Sequence, residues 1–346
     1  MTDTRKASPN TRPGLADVAR ASGVSLSTVD RVLNERGSVS ERKRLKVLEA
    51  ARSLGMRRVL PSAVHGLLRV DLLMVDSQSP YFYRLKNAFA EQMRMHRSRL
   101  LLQQHIWEER NPGQLVQLIE QPRTRRQGLI VLAQDTPEVR NALAKQISLG
   151  VPVVLLTTNL SGLSGAIYTG VDNHVLGRAA GSLMAQWLQG LSGDLLLVTN
   201  SLLYLAHRER IAGFLEVMQQ KAPKVDVCGP FECYDDDEKV YRAISDYIAK
   251  GRKMAGLYTT GSGGRGVERA LHKHGAKPVW IGHEANDLHN RLMRDGLLSL
   301  VLDQDPEGQA EAAIQHVLYA NGDLDAPPQV SAQLRMVIDE TLGCWP

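Results

Sequence analysis

The chain has 346 residues, 43% hydrophobic and 23% charged, with a formal charge of +5 and three cysteines. That length suits two or three domains; no apolar run reaches the ~18 residues of a membrane helix, and the polar start is unlike a secretory signal. Cys228, Cys233 and Cys344 are odd in number and lack metal-ligand spacing, so they read as reduced thiols in a cytoplasmic protein, with no metal expected.

The charge is unevenly spread. Residues 1–60 hold 13 Lys/Arg against 6 Asp/Glu, a net +7, which leaves −2 for the rest. A basic head on a near-neutral body fits a head that meets phosphate. In LADVARASGVSLSTVDRVLN (15–34), Leu15, Val18 and Ala19 share one helical face. Gly23 allows a tight turn, Ser25 caps a second helix, and Val29, Val32 and Leu33 repeat the spacing. Two short helices about a glycine turn predict a helix-turn-helix, with Leu26, Ser27, Thr28, Asp30 and Arg31 left to face DNA. Ser40 then opens a third helix, with Leu45, Leu48 and Ala51 on its packed face and Gly55 as its stop. Residues 1–55 are thus an all-α head, and 56–69, with Pro61 and Gly66, are a hinge or linker.

From Val70 the pattern changes to apolar strands alternating with amphipathic helices. Strands are expected at 70–75, 100–105, 128–133, 151–157, 167–171, 194–200, 225–231, 254–260, 279–283, 298–303 and 330–338, with helices between them. Continuous apolar strands between helices imply parallel sheets covered on both faces. More than ten strands divide best into two doubly wound lobes: an N-lobe of about 70–171 plus 304–328, and a C-lobe of about 172–303 plus 329–346.

Ligands of open parallel sheets bind beyond the C-terminal strand ends. Asp76, Thr157, Asn159, Asp172, Thr260, Ser262, Glu284 and Gln304 each follow a strand, a set suited to a small polyhydroxylated ligand in a cleft. Tyr81, Phe82 and Trp107 are stacking candidates, with core packing as the competing role. Gly261–Gly266 satisfies G-x-G-x-x-G between a strand and a helix, and Glu284 stands where a ribose-binding acid would. A nucleotide- or NAD-sensing regulator is therefore an alternative, although too little chain follows for a full dinucleotide fold. An α/β enzyme tethered to DNA is another, but no catalytic motif supports it: His283-Glu284 does not continue to H-E-x-x-H, and G-x-S-x-G is absent. The acidic run Tyr234–Glu238 reads as a solvated helix start.

The head, LADVARASGVSLSTVDRVLNERGSVSERKRLKVLEAARSLG, resembles the DNA-binding domain of the lactose-repressor (LacI) family of bacterial transcription regulators over its whole length. PVVLLTTN (152–159), YTGVDNHVLGRAAG (168–181) and RERIAGF (208–214) resemble that family's periplasmic-binding-protein-like effector domain. The resemblance runs from Arg12 onward. It implies a homodimer reading a pseudo-palindromic operator, with a small effector, commonly a sugar or its derivative, closing the lobes; no cofactor or enzymatic activity is expected. By position, Leu26, Ser27 and Arg31 match base-reading residues, while Ser25, Thr28 and Asn34 match phosphate contacts or caps. Asp172, Arg208, Glu284 and Gln304 match effector contacts, with Arg208 expected to supply a bidentate fork. Asp30 departs from the family's usual Ser. The usual hinge pattern is missing, leaving Leu60, Val64 and Leu67 as candidates for minor-groove insertion. TTGSGG (259–264) replaces a common Asn-Asp, and no heptad tail follows residue 338.

Overall fold

A computed structural model describes residues 13–34, 39–54, 56 and 67–342. Gly55, Leu60 and Val64 lie outside the described residues, and Leu67 is exposed just ahead of the first strand. The head comprises α1 (Leu15–Ser22), α2 (Leu26–Leu33) and α3 (Glu41–Ser53). They close on Val18, Val29, Val32, Leu33, Val47, Leu48 and Ala51. Gly23 ends α1 at φ 67°, a conformation that costs glycine nothing sterically. Leu45, expected on the packed face of α3, is exposed; the buried stripe runs instead through Val47, Leu48 and Ala51.

The body holds two sheets. The first contains β1 (Leu68–Val75), β2 (Leu100–Trp107), β3 (Gly128–Val131), β4 (Val153–Leu155) and β5 (Ile167–Tyr168). Its order is β2-β1-β3-β4-β5, all parallel, covered by α4 (Pro80–His96), α5 (Pro112–Glu120) and α6 (Pro137–Ser148). The second contains β6 (Asp194–Thr199), β7 (Val227–Glu232), β8 (Met254–Thr259), β9 (Val279–His283), β10 (Leu300–Asp303) and β11 (Arg335–Val337), in the order β11-β10-β9-β8-β6-β7. Around it lie α7 (Asn173–Trp187), α8 (Leu205–Lys221), α9 (Asp237–Ala249), α10 (Gly264–His274) and α11 (Asp287–Arg294).

Alternation along the strands shows why both faces are covered. Leu195 and Leu197 point into a cluster with Phe214 of α8, and Leu196 and Val198 into one with Val240 of α9 and Val267 of α10. α12 (Pro306–Ala320) leaves β10 for the first lobe, where Ala310, Ala313, Ile314 and Val317 join its core. The chain then returns to the second sheet as β11. It re-enters at the end where β10 left, so it must run back along it: Val301 faces Val337 in an antiparallel pair. The connections after β5, after β10 and before β11 therefore all pass between lobes. The strands expected at 151–157 and 167–171 are shorter than their apolar runs, because the chain turns at Thr157 and Gly170 toward the cleft. Among the described residues, no helix is long and apolar enough to cross a membrane.

α7 and α8 pack almost backbone to backbone. A Cβ on Gly177 would stand 2.0 Å from the Arg210 carbonyl oxygen, and one on Gly213 would stand 2.1 Å from that of His174. This contact sets the depth of Arg210.

Candidate functional site

On the head, Ser25 caps α2: its Oγ accepts from the Thr28 amide at 3.3 Å and lies 2.8 Å from Thr28 Oγ1 and 3.1 Å from Ser27 Oγ. Leu26 is 53% exposed, and Ser27 and Arg31 are exposed beside it. Asp30 accepts from Asn34 Nδ2 at 2.6 Å, so its carboxylate is held along its own helix, one turn from the tip. The outward face of α2 thus presents an apolar residue, hydroxyls and one guanidinium, a set able to meet base edges and phosphate.

Between the lobes lies a cavity of about 560 Å³ at the C-terminal ends of both sheets. Asp76, Tyr81, Phe82, Thr157, Thr260, Ser262, Glu284 and Gln304 all line it. Three expected residues do not. Asp172 turns to its own helix and caps α7 by accepting from the Val175 amide at 2.9 Å. Asn159 closes a local turn, its Oδ1 accepting from the Leu160 amide at 2.8 Å. Arg208 points away from the cavity and pairs with Asp135, the acid that follows β3. It also donates to the Leu202 carbonyl at 2.8 Å.

The guanidinium that does line the cavity is Arg210, 2% exposed. It donates from Nε to Asn173 Oδ1 at 2.8 Å, from Nη1 to the Thr260 carbonyl at 2.8 Å, and from Nη2 to Gln304 Oε1 at 2.5 Å. Gln304 in turn donates to Glu284. Helical spacing distinguishes the two arginines: Arg210 is in register with Gly213, Phe214 and Val217, the buried stripe of α8, and Arg208 is not.

Burial dominates the electrostatics here. It pushes the Glu284 carboxyl up to about 8, reinforced by Asp303, with Arg210 pulling the other way. Asp235 is raised to about 6 by burial, against a hydrogen bond from the Ser262 amide. His207, 3.0 Å from Thr260 Oγ1, is pushed down to about 3 by burial and by Arg210, so it is neutral at physiological pH. His283 and His289 are depressed by burial as well. Tyr81, against Thr157 Oγ1 at 2.5 Å and Gln309 at 3.2 Å, stays a protonated phenol.

Backbone strain gathers at the same place. Five non-glycine residues among those described have positive φ, and Thr157, Tyr234, Asp235 and Glu284 line the cavity, while the fifth, Asp305, caps α12 beside it. Such conformations cost about 1–3 kcal/mol each and persist where surrounding structure holds a functional group in place.

The acidic run Tyr234–Glu238 does start a helix, with Tyr234, Asp236 and Glu238 exposed, but Asp235 within it has a role that this reading does not include. Asp236 caps α9, but Asp235 faces the cavity, accepting from the Ser262 amide at 2.8 Å and from Asn200 Nδ2 at 3.2 Å. Asp235 follows β7 and Asn200 follows β6, so the strand-end rule that found the other residues applies to both. The same contacts bear on Gly261–Gly266. The Ser262 and Gly266 amides are taken by Asp235 and Asp237, and a Cβ on Gly266 would lie 2.1 Å from the Asp237 carbonyl oxygen. These glycines let α9 approach α10, and a pyrophosphate at this loop would meet two carboxylates. Trp107 is fully buried and donates to the Leu132 carbonyl at 3.3 Å, a core role.

A three-helix head with an exposed recognition-type helix, joined to two doubly wound lobes around a polar cavity, defines the class: a helix-turn-helix module on a periplasmic-binding-protein-like body. Residues 70–323 match the family profile described as periplasmic binding protein domain, and residues 14–58 match that of bacterial regulatory proteins, lacI family. The chain belongs to the periplasmic-binding-protein domain family, and its head carries a DNA-binding domain of the lacI type. It is 28% identical over 213 residues to the ribose operon repressor of Bacillus subtilis, spanning 60% of either chain. It is also 28% identical over 149 residues to the transcriptional repressor PurR of Mannheimia succiniciproducens, 41% of this chain and 42% of that one. The body is similar to a solute-binding protein of Burkholderia graminis in complex with D-arabinose: TM-score 0.72, 17% identity, 80% of this chain and 97% of that one. A solute-binding protein of Agrobacterium vitis with bound D-fucose gives TM-score 0.71 at 16% identity, covering 80% and 97%. Likeness at that identity is a likeness of fold.

Proposed function

We propose that this protein is a cytoplasmic transcriptional repressor that binds a pseudo-palindromic operator as a homodimer through α2. Its operator affinity is set by a small polar effector, a sugar or sugar derivative, held between the lobes. One observation carries the reading: the same chain joins an exposed recognition-type helix to a cavity where Arg210, Gln304 and Glu284 face Asp76, Tyr81, Phe82 and Thr157 across the lobes. The relatives named above are repressors, and the body shares its fold with sugar-binding proteins.

Donors and acceptors from two lobes can be satisfied together only when the lobes close, so an effector favours the closed arrangement by its differential affinity. The three crossings between lobes make that motion a property of the whole body, and coupling to the head is a shift between DNA-competent and DNA-incompetent dimers. Phosphate contacts from the basic head supply affinity, and Leu26, Ser27 and Arg31 read base edges. The test is fluorescence anisotropy against DNA from upstream of the protein's own gene, with a scrambled duplex, across a salt series, followed by a sugar screen for release. Tighter binding to the upstream duplex at ~150 mM salt, reversed by a sugar, is the expected result. Equal, steeply salt-dependent binding to both duplexes removes operator reading.

A further inference from the structure

The cavity is acidic at one end, and nothing in the proposed polyol contacts uses that end. Five acids line the cavity, Asp76, Glu109, Asp235, Asp237 and Glu284, of which Glu284 is held largely protonated at neutral pH, against two guanidiniums, Arg210 and Arg265. Glu284 is held by Gln304, and each Arg210 nitrogen already donates to a protein oxygen. Glu109 follows β2 and Asp235 follows β7, the edge strands of the two sheets, so these acids face each other from opposite lobes. Their charges interact: Glu109 is among the groups that raise Asp235, and burial raises Glu109 too. Among the described residues, neither makes an ion pair with Lys or Arg. A second, independent feature lies beside them. Asn200 is 9% exposed and lines the cavity; its Nδ2 is fixed by Asp235, and its Oδ1 has no hydrogen-bond partner. An acceptor left over beside two converging acids is chemistry for a donor that carries charge.

We infer that the effector is an amine-bearing polyol, an amino sugar in its protonated form, whose ammonium sits between Glu109 of the N-lobe and Asp235 of the C-lobe with Asn200 Oδ1 as a third acceptor. The inference rests on the sugar-effector reading and narrows it. An ammonium has three donors and no acceptor, which matches three acceptors converging from two lobes. It also relieves the repulsion between Glu109 and Asp235 that opposes closure, so the charge contributes to the closed arrangement as well as to selectivity. A sugar phosphate or sugar acid meets the opposite field. Divalent cations fit less well: no group of three or more His, Cys, Asp or Glu among the described residues is placed to hold one.

The test is calorimetric titration of the full-length protein at neutral pH with D-glucosamine, D-galactosamine and D-mannosamine, each beside its neutral parent hexose and its N-acetyl derivative. At least one amine is expected to bind about tenfold tighter than both neutral counterparts, the gain of one charge-assisted hydrogen bond network over an uncharged one. The double variant Glu109→Gln/Asp235→Asn is expected to erase that preference; Glu109→Gln alone, which leaves the Asp235 bonds to Ser262 and Asn200 in place, should reduce it. A neutral hexose binding as tightly as its amine overturns the ammonium subsite and leaves the sugar reading standing. No binding by any of the nine compounds, with operator binding intact, overturns both.

Discussion

Arg210 and Arg208 stand two residues apart on one helix, and replacing each in turn separates a cavity residue from a latch between lobes. In Arg210→Leu, three buried acceptors, Asn173 Oδ1, the Thr260 carbonyl and Gln304 Oε1, lose their donor. Each stranded acceptor costs about 1–3 kcal/mol, and part of that is offset because a buried guanidinium no longer has to be desolvated. A net loss of about 3–5 kcal/mol is expected, a large share of the stability of one domain. Arg208→Ala differs in kind. The side chain is 37% exposed, and its partner Asp135 keeps Arg140 and hydrogen bonds from Ser161. The loss is therefore about 0.5–1 kcal/mol. Because Asp135 belongs to the N-lobe and Arg208 to α8, the loss falls on the closed arrangement and weakens effector affinity about two- to fivefold. Thermal melts followed by circular dichroism establish the temperature at which both variants are folded. Anisotropy at that temperature then reads operator binding and its release by effector. Arg210→Leu should bind operator and ignore effector, whereas Arg208→Ala should respond at a higher effector concentration. The opposite pattern, a deaf Arg208→Ala beside a responsive Arg210→Leu, would refute the assignment of the two roles.

Arg31→Ala on the outward face of α2 should weaken operator binding and lower the slope of log affinity against log salt by up to about 1 if the contact is to phosphate, or relax one base position by about 1–3 kcal/mol if it is to a base. Ser25→Ala should destabilise the head by about 1 kcal/mol in a thermal melt, through loss of the α2 cap. Gly23→Ala should cost about 1 kcal/mol by the same measurement; a Cβ there meets no atom within 4 Å, so the whole effect is the left-handed backbone. Glu284 titrates near 8 in the fold against an ordinary carboxyl value of 4.5, so its contribution to stability is present below about pH 4.5 and lost as pH rises through about 8. Glu284→Gln keeps the bond with Gln304 without the charge, and should melt above the parent protein at about pH 9 and no higher than it at about pH 5. Equal melting shifts at both pH values would show that Glu284 is ionised in the fold.

Local chemistry reached far in this chain. The helix spacing of Leu15–Val18–Ala19 and Val29–Val32–Leu33, with Gly23 and Ser25 between, specifies the turn of the head. The alternation of apolar runs and amphipathic stretches locates the strands and helices of both lobes. Strand ends marked Asp76, Thr157, Thr260, Ser262, Glu284 and Gln304, all of which line the cavity. What sequence left undecided was direction. Arg208 and Arg210 differ by 200° around α8; Arg210 shares the stripe of Gly213, Phe214 and Val217, but that this stripe is the one driven against the facing backbone shows in the close approach of Gly177 and Gly213. Asp172 and Asn159 sit at strand ends like the others, but their carboxylate and amide turn to nearby amides, a choice made by local φ and ψ. Asp235 and Asn200 were hidden for a different reason: one lay in an acidic run, the other ended an apolar strand, and neither showed its partner 35 residues away. Period and composition are properties of neighbours along the chain and so are legible there. The meeting of Glu109 with Asp235, or of Arg210 with Gln304, depends on how two lobes fold onto one cleft, and tertiary structure alone sets that.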